Sequence, residues 1–395
     1  MKEIDVATVR ADTPGTDHVI HFNNAGAGLM ATPVLDAVTS HLRLEAEIGA
    51  YEAHDRARDA FENTYRALAK FLNCGADEIA LMENATVAWQ AAFYGLAAGF
   101  KAGDRILTAE AEYASNYIAY LQVARRTGAV VEVVPSTPEG ELDVAALRRM
   151  IDGRVKLIAI THVPTNGGLI NPAAAVGEIA REHGIPYLLD ACQSAGQVPL
   201  DVEKIGCDAL SVTGRKYLRG PRGTGFLYIK KSLIERIEPP MLDLHGAVWT
   251  AADSYKLRDD AKRFENWEFN VAGQIGLGVA VDYANALGQD AIFARIRQLA
   301  ERLRGELAEI SGVTIRDIGR EKGGIVTFTV DGVPPAVLKE KLRADAINCT
   351  ASKVSSTRLD MTKRGLDAVV RASIHYYNTE DEIARFCAAV ARLTA

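Results

Sequence analysis

Cysteine is scarce in this sequence and poorly placed for cross-linking. Five occur in 395 residues (Cys74, Cys192, Cys207, Cys349 and Cys387), an odd number with no CxxC pair among them. That pattern argues against a disulfide framework or a zinc site and suits a reducing compartment, so no metal is expected. Long apolar runs are also missing. None approaches the roughly 18 residues that would cross a bilayer. Residues 1–12 mix charges with short apolar pieces and lack the apolar core of a secretion signal. Neither charge dominates: 45 lysines and arginines face 51 aspartates and glutamates, a formal net charge of -6. No basic footprint for nucleic acid follows from that balance. Repeats, low-complexity tracts and a Pro/Gly/Ser linker are absent too. What remains is 48% hydrophobic and 24% charged residues, the composition of a globular protein, over a length that fits two domains. A cytoplasmic protein without membrane or nucleic-acid partners is expected.

The pattern along the chain is of two kinds. From about residue 78, short apolar runs alternate with amphipathic stretches. Strands are expected at 78–82, 105–108, 130–134, 156–161, 186–190, 208–212 and 224–229. Helices are expected between them at 86–96, 116–126, 144–151 and 173–183, and residues 30–73 read as largely helical. Strands rich in Ile, Val and Leu, separated by helices, make an α/β domain with a mostly parallel sheet covered on both faces. Beyond about residue 270 the pattern changes. A long helix is expected over 289–309, a strand over 323–330, a helix over 334–344 and a strand over 368–374. A closing helix follows over 379–393, with Thr379 as its cap. This part reads as a smaller α+β unit.

One motif near the N-terminus points elsewhere. Gly26-Ala27-Gly28-Leu29-Met30-Ala31 matches GxGxxA after the apolar run 19–22, as in dinucleotide-binding folds. That reading demands a second strand ending in an acid roughly 20 residues on. The stretch 42–72 reads instead as helix, rich in Glu, Arg and Ala. A glycine-containing turn after an edge strand is the better account.

The segment 186–225 carries the chemistry. Tyr187-Leu188-Leu189-Asp190 reads as a buried strand ending in a carboxylate, and acids at the carboxyl ends of parallel strands face the ligand crevice. Taken alone, Asp190 could equally cap the turn that follows. Twenty-six residues on (216 − 190) stands Lys216, in Ser211-Val212-Thr213-Gly214-Arg215-Lys216, with Gly220-Pro221-Arg222-Gly223-Thr224-Gly225 after it. An isolated lysine is ordinarily a solvated surface residue. A lysine at a strand end, beside two more cations and a glycine-rich turn, is less ordinary. Positive neighbours and partial desolvation lower an amine's pKa, which imine chemistry needs.

These residues, in this order, resemble class V aminotransferases, the fold-type I pyridoxal 5'-phosphate (PLP) enzymes that include cysteine desulfurases, selenocysteine lyases and isopenicillin N epimerase. The resemblance runs from His21-Phe22-Asn23-Asn24-Ala25-Gly26 to Tyr376-Tyr377-Asn378-Thr379. It implies a large PLP-binding domain over 31–265 with a seven-stranded, mostly parallel sheet. A small C-terminal α+β domain would cover 266–395, with residues 1–30 packing against it. By the same analogy Lys216 carries the Schiff base to PLP and then moves protons, while Asp190 keeps the pyridine nitrogen protonated. Gln193 would hydrogen-bond the ring's 3'-oxygen. Ala85 and Thr86, at a strand-to-helix junction after Asn84, would offer backbone N–H groups to the phosphate. Thr213 counts among the cofactor contacts, and Arg215, where His is usual, would meet the phosphate directly. Tyr113 would stack on the ring where the family often has His, and Thr165 stands where desulfurases carry Asn. Trp267, in Arg263-Phe264-Glu265-Asn266-Trp267-Glu268, belongs to a segment that resembles the one reaching a neighbouring subunit's phosphate, so a homodimer with shared active sites is expected. Arg371 resembles the fork for the substrate carboxylate, with Asn24 in the same substrate site. Each match also has a plainer reading: Thr86 as a helix cap, Tyr113 as core, Arg371 as a structural ion pair.

PLP chemistry on an amino-acid substrate can lead to transamination, elimination, epimerisation or decarboxylation. A desulfurase needs a nucleophilic cysteine on a mobile loop shortly before the carboxylate arginine. Residues 353–372 hold none, and Cys349 lies 22 residues before Arg371 (371 − 349). An isolated cysteine of this kind reads as a strand-end or buried residue. The chain looks most like the branches near isopenicillin N epimerase and hercynylcysteine sulfoxide lyase, and a lyase of the second kind breaks a Cβ–S bond without a protein thiol. A lyase acting on an S-substituted cysteine is therefore favoured over an aminotransferase. An epimerase, a desulfurase and a non-catalytic interaction protein with the PLP fold stand as further alternatives. The hydroxyls of Ser355, Ser356 and Thr357, with Arg358, are expected to receive the substrate's far end.

Overall fold

A computed structural model describes residues 3–394. Its main sheet has seven short strands: β1 (Ile79–Met82), β2 (Arg105–Thr108), β3 (Val130–Val133), β4 (Val155–Thr161), β5 (Tyr187–Asp190), β6 (Ala209–Thr213) and β7 (Gly225–Ile229). Their order is β1-β7-β6-β5-β4-β2-β3, and all run parallel except β7, which is antiparallel to both neighbours. Six of the seven are largely buried; β3, at one edge, is not. Consecutive residues go to opposite faces with the period of two that a strand imposes. Ile106, Leu157 and Leu188 join one core, and Leu107, Ile158 and Leu189 the other.

Helices cover both faces. After α1 (Thr32–Ile48), α2 (Arg58–Leu72) lays Tyr65, Leu68 and Phe71 on one face. On the other, α3 (Ala85–Ala97) and α4 (Ala114–Thr127) bring Trp89, Phe93 and Tyr120. The helix α5 (Val271–Leu287), not expected from the sequence, packs against α1 and α2. It is buried on most sides, so it lacks the polar face that makes a helical stripe visible. A Cβ on its Gly278 would lie 2.4 Å from Thr64 Oγ1, so the glycine permits close approach to α2 while weakening the local helix signal. The exposed hairpin of Ala247–Ala251 and Ser254–Leu257 was likewise not expected.

The second unit is a four-stranded antiparallel sheet of β8 (Val313–Ile315), β9 (Ile325–Val330), β10 (Thr350–Lys353) and β11 (Ala368–Ser373), in the order β8-β9-β11-β10. The long helix α6 (Gln289–Ala308) covers it with Leu299 and Leu303. Between β10 and β11 lies the short α7 (Arg358–Lys363), and α8 (Glu380–Thr394) closes the chain with Phe386 and Val390 in the same core. Thr379 and Glu382 cap α8 reciprocally, each side chain accepting from the other's backbone N–H. Near the N-terminus, Ile20–His21 pairs in parallel with Ile347–Asn348 of the second unit.

Candidate active site

The carboxyl ends of β1, β2, β4, β5 and β6 lie on one side of the sheet, and a cavity of about 180 Å³ lies there. Strand register builds its floor: Thr161 ends β4 beside Asp190, which ends β5 beside Ser211 of β6. Asp190 is buried and accepts hydrogen bonds from the Cys192 N–H and the Asn116 amide, both at 2.9 Å. Burial raises its pKa, while those donors and the Lys216 charge oppose the rise. Lys216 stands at the turn after β6, with its Nζ 3.2 Å from Cys192 Sγ. Among the described residues no carboxylate pairs with it. The turn is supported by the GxGxxA run. Gly28 N–H donates to the Arg215 carbonyl at 2.8 Å, and a Cβ on Gly28 would lie 2.6 Å from the Lys216 carbonyl oxygen. That run is a brace for the lysine turn.

α3 starts at the cavity wall. Asn84 caps it, its Oδ1 accepting from Val87 N–H at 3.1 Å, and the N–H groups of Ala85 and Thr86 donate to no acceptor among the described residues. They point to an anion site of the kind helix starts provide. Arg215 lines the cavity beside Thr213 and donates to the Gly26 carbonyl. Gln193 donates to Thr165 Oγ1 at 3.2 Å and to the Ala25 carbonyl at 3.1 Å, which leaves its buried Oε1 without a partner. Tyr113, half-buried, stands at the N-terminus of α4 over the same space.

Arg371 lies just beyond Thr165. It is buried on β11, donating to the Thr165 carbonyl at 3.0 Å and hydroxyl at 2.8 Å, while its Nε has no partner. Burial, with the nearby Arg215 charge adding to it, lowers the guanidinium pKa to about 10. A buried cation without a counter-charge is costly unless a ligand supplies one. The plainer account of Arg371, a structural ion pair, fails because no carboxylate faces it among the described residues.

A family model described as Aminotransferase class-V matches residues 20–386. The chain belongs to the class V aminotransferase family. It is 31% identical over 383 residues to a probable cysteine desulfurase from Pyrococcus abyssi, across 96% of this chain and 95% of that one. The apo structure of a cysteine desulfurase from Thermococcus onnurineus NA1 superposes with a TM-score of 0.91 at 29% identity, covering 100% of this chain and 99% of the other. A cystine C–S lyase, solved with its reaction product cysteine persulfide, gives a TM-score of 0.86 at 25% identity over 96% and 99% of the two chains.

This class V enzyme uses PLP as its cofactor, and the cavity fits that group. Free helix N–H groups and Arg215 suit a phosphate, Asp190 a ring N–H, the orphan Gln193 Oε1 a polar ring substituent, Tyr113 an aromatic face and Lys216 an aldehyde. Nine expected contacts (Ala85, Thr86, Tyr113, Thr165, Asp190, Gln193, Thr213, Arg215 and Lys216) line one cavity.

Arg371 stands just beyond this lining, and three further expected residues fall outside it. Asn24 is buried with its amide spent: Nδ2 donates to the His21 and Ser373 carbonyls, and Oδ1 accepts from Tyr377. It ties the N-terminal segment to β11 and has no donor left for a substrate. Arg358 is exposed, because the inward positions of its segment are Thr357 and Met361, one helical turn apart and both bonded to Asn166. Trp267 is 50% exposed and lines a separate surface groove with Tyr51, His54 and Lys262. Sequence reasoning missed Cys192 and the role of Asn116, which line the cavity. Their only signal was position: Cys192 follows the strand-end Asp190 by two residues.

Proposed function

We propose that this enzyme is a PLP-dependent lyase that breaks the Cβ–S bond of a cysteine-derived amino acid without passing sulfur to a protein thiol. The observation that carries this reading is Cys349. It is 4% exposed, and burial pushes its thiol pKa up to about 12, whereas a sulfur acceptor needs exposure and a lowered pKa. Residues 353–361 carry no thiol and fold into the end of β10, a short turn and the start of α7. Cys192 is the one thiol lining the cavity. It sits at the floor against Lys216, and burial pushes its pKa up as well. The named relatives, desulfurases and a cystine C–S lyase, all act on C–S bonds, which supports a cysteine-derived substrate.

When bound, PLP supplies an electron sink that acidifies the substrate Cα–H. Lys216 would take that proton. Arg371 would fix the substrate carboxylate, Asp190 would hold the ring nitrogen and Tyr113 would cover the ring. Departure of sulfur from Cβ, then hydrolysis with one water, yields a thiol or persulfide, pyruvate and ammonia. The exposed Tyr51, Trp249 and Trp267, at 70%, 78% and 50%, support a homodimer, since apolar groups so placed mark contact surfaces.

The test is product analysis with L-cystine and S-substituted cysteines. Pyruvate and ammonia in equal amounts are expected, with Cys349→Ser within about twofold of wild type and no persulfide on Cys192 or Cys349 by mass spectrometry. Alanine with a protein persulfide would restore a desulfurase, and accumulation of pyridoxamine phosphate would indicate an aminotransferase.

A further inference from the structure

Beneath the cavity floor lies a second buried carboxyl, for which the reaction outlined above has no role. Glu112, just after β2, is 3% exposed. Five donors converge on it: the Thr108 hydroxyl at 2.9 Å, the Tyr113 N–H at 2.8 Å, the Asn116 amide at 2.9 Å, the Thr161 N–H at 3.1 Å and the Thr161 hydroxyl. No cation is among them. A carboxyl ringed by donors is a site built for an anion. Burial pushes its pKa up to about 7, with Asp190 adding to the rise and the Thr161 and Asn116 donors opposing it.

Asn116 joins this carboxyl to Asp190. Its amide nitrogen lies 2.9 Å from Glu112 Oε1 and 2.9 Å from Asp190 Oδ2. An amide nitrogen has two hydrogens, and each is spent on one carboxylate. With acceptors on both sides, the nitrogen and not the oxygen must face them, so the neighbours fix the amide's orientation. Without the Glu112 charge the amide is free to turn its oxygen towards Asp190, an arrangement that only a protonated Asp190 satisfies. A protonated Asp190 is the wrong partner for a protonated ring nitrogen.

We propose that Glu112 is a positioning residue: acting through Asn116, it holds Asp190 as an ionised acceptor for the PLP ring nitrogen. This rests on the cofactor assignment and is independent of which bond the enzyme breaks.

The experiment compares equilibrium affinity of the apoenzyme for PLP and for its 1-deaza analogue, whose ring carries C–H in place of the nitrogen. Wild type, Glu112→Gln, Asn116→Ala and the double variant are measured. PLP affinity is expected to fall about tenfold or more in each variant, the size of one lost charged hydrogen bond. Affinity for the analogue stays within about twofold of wild type. The double variant is no worse than the weaker single one, because both act along one chain of contacts. Equal losses for both ligands, or no loss for PLP, would overturn the proposal. Should Glu112→Gln fail to fold, Asn116→Ala decides by the same comparison. Wild-type protein that binds neither ligand would remove both this proposal and the cofactor assignment.

Discussion

Arg371 sits on β11 with only Thr165 to satisfy its guanidinium, and burial holds its pKa near 10. Among the residues of the site it has the most to gain from a substrate carboxylate. Arg371→Lys keeps the charge and loses the planar fork. Steady-state kinetics should show kcat/KM reduced about 10²-fold or more, as expected for breaking a buried charge pair, with PLP affinity unchanged. A variant with wild-type kcat/KM would place the carboxylate elsewhere. At this scale, legibility in the sequence depended on where a residue's partners come from. Asp190 and Lys216 are positioned by strand ends visible as apolar runs, so chain position put them near one another, whereas Gln193 and Arg215 were expected from the family resemblance. Asn24 and Arg358 were misjudged for a reason no local pattern reveals. Asn24 spends its amide on Ser373 and Tyr377, some 350 residues away in sequence, and Arg358 is turned outwards by the packing of Thr357 and Met361 on Asn166.

Elements were legible in proportion to how one-sided or how buried they are. β2 has the bounds its apolar run gives, and β5 differs by one residue, because strands buried on both faces read as unbroken Ile/Leu/Val segments ended by polar residues. α8 carries a distinct apolar stripe and a cap at Thr379. α5 was lost because it is packed nearly all round and holds three interior glycines. Hairpin Ala247–Ala251/Ser254–Leu257 was lost for the opposite reason: its side chains are largely exposed, so no alternation of buried and polar residues marks it. The GxGxxA run shows the limit of motif matching at this scale. Its glycine serves a close approach to the Lys216 carbonyl, a tertiary requirement that mimics a ligand loop in one dimension.

For the whole molecule, the N-terminal segment is stitched to the second unit at Ile20–His21 and again where Arg10 bonds Glu382 at 2.8 Å. The site therefore depends on both ends of the chain meeting beside the main sheet, with β11 holding Arg371 against Thr165 at the edge of the cavity. Trp267 and Tyr51 face outwards from this chain's own cavity, which fits a contact with a second copy. Sedimentation of the PLP-loaded protein should give a dimer; an active, PLP-loaded monomer would contradict shared sites. The central claim is that PLP is held on one particular lysine. Borohydride reduction of the reconstituted protein, digestion and mass spectrometry test it most directly. A single pyridoxyl adduct per chain on Lys216, lost in Lys216→Ala, is the expected result; an adduct on another lysine, or none, would contradict the account.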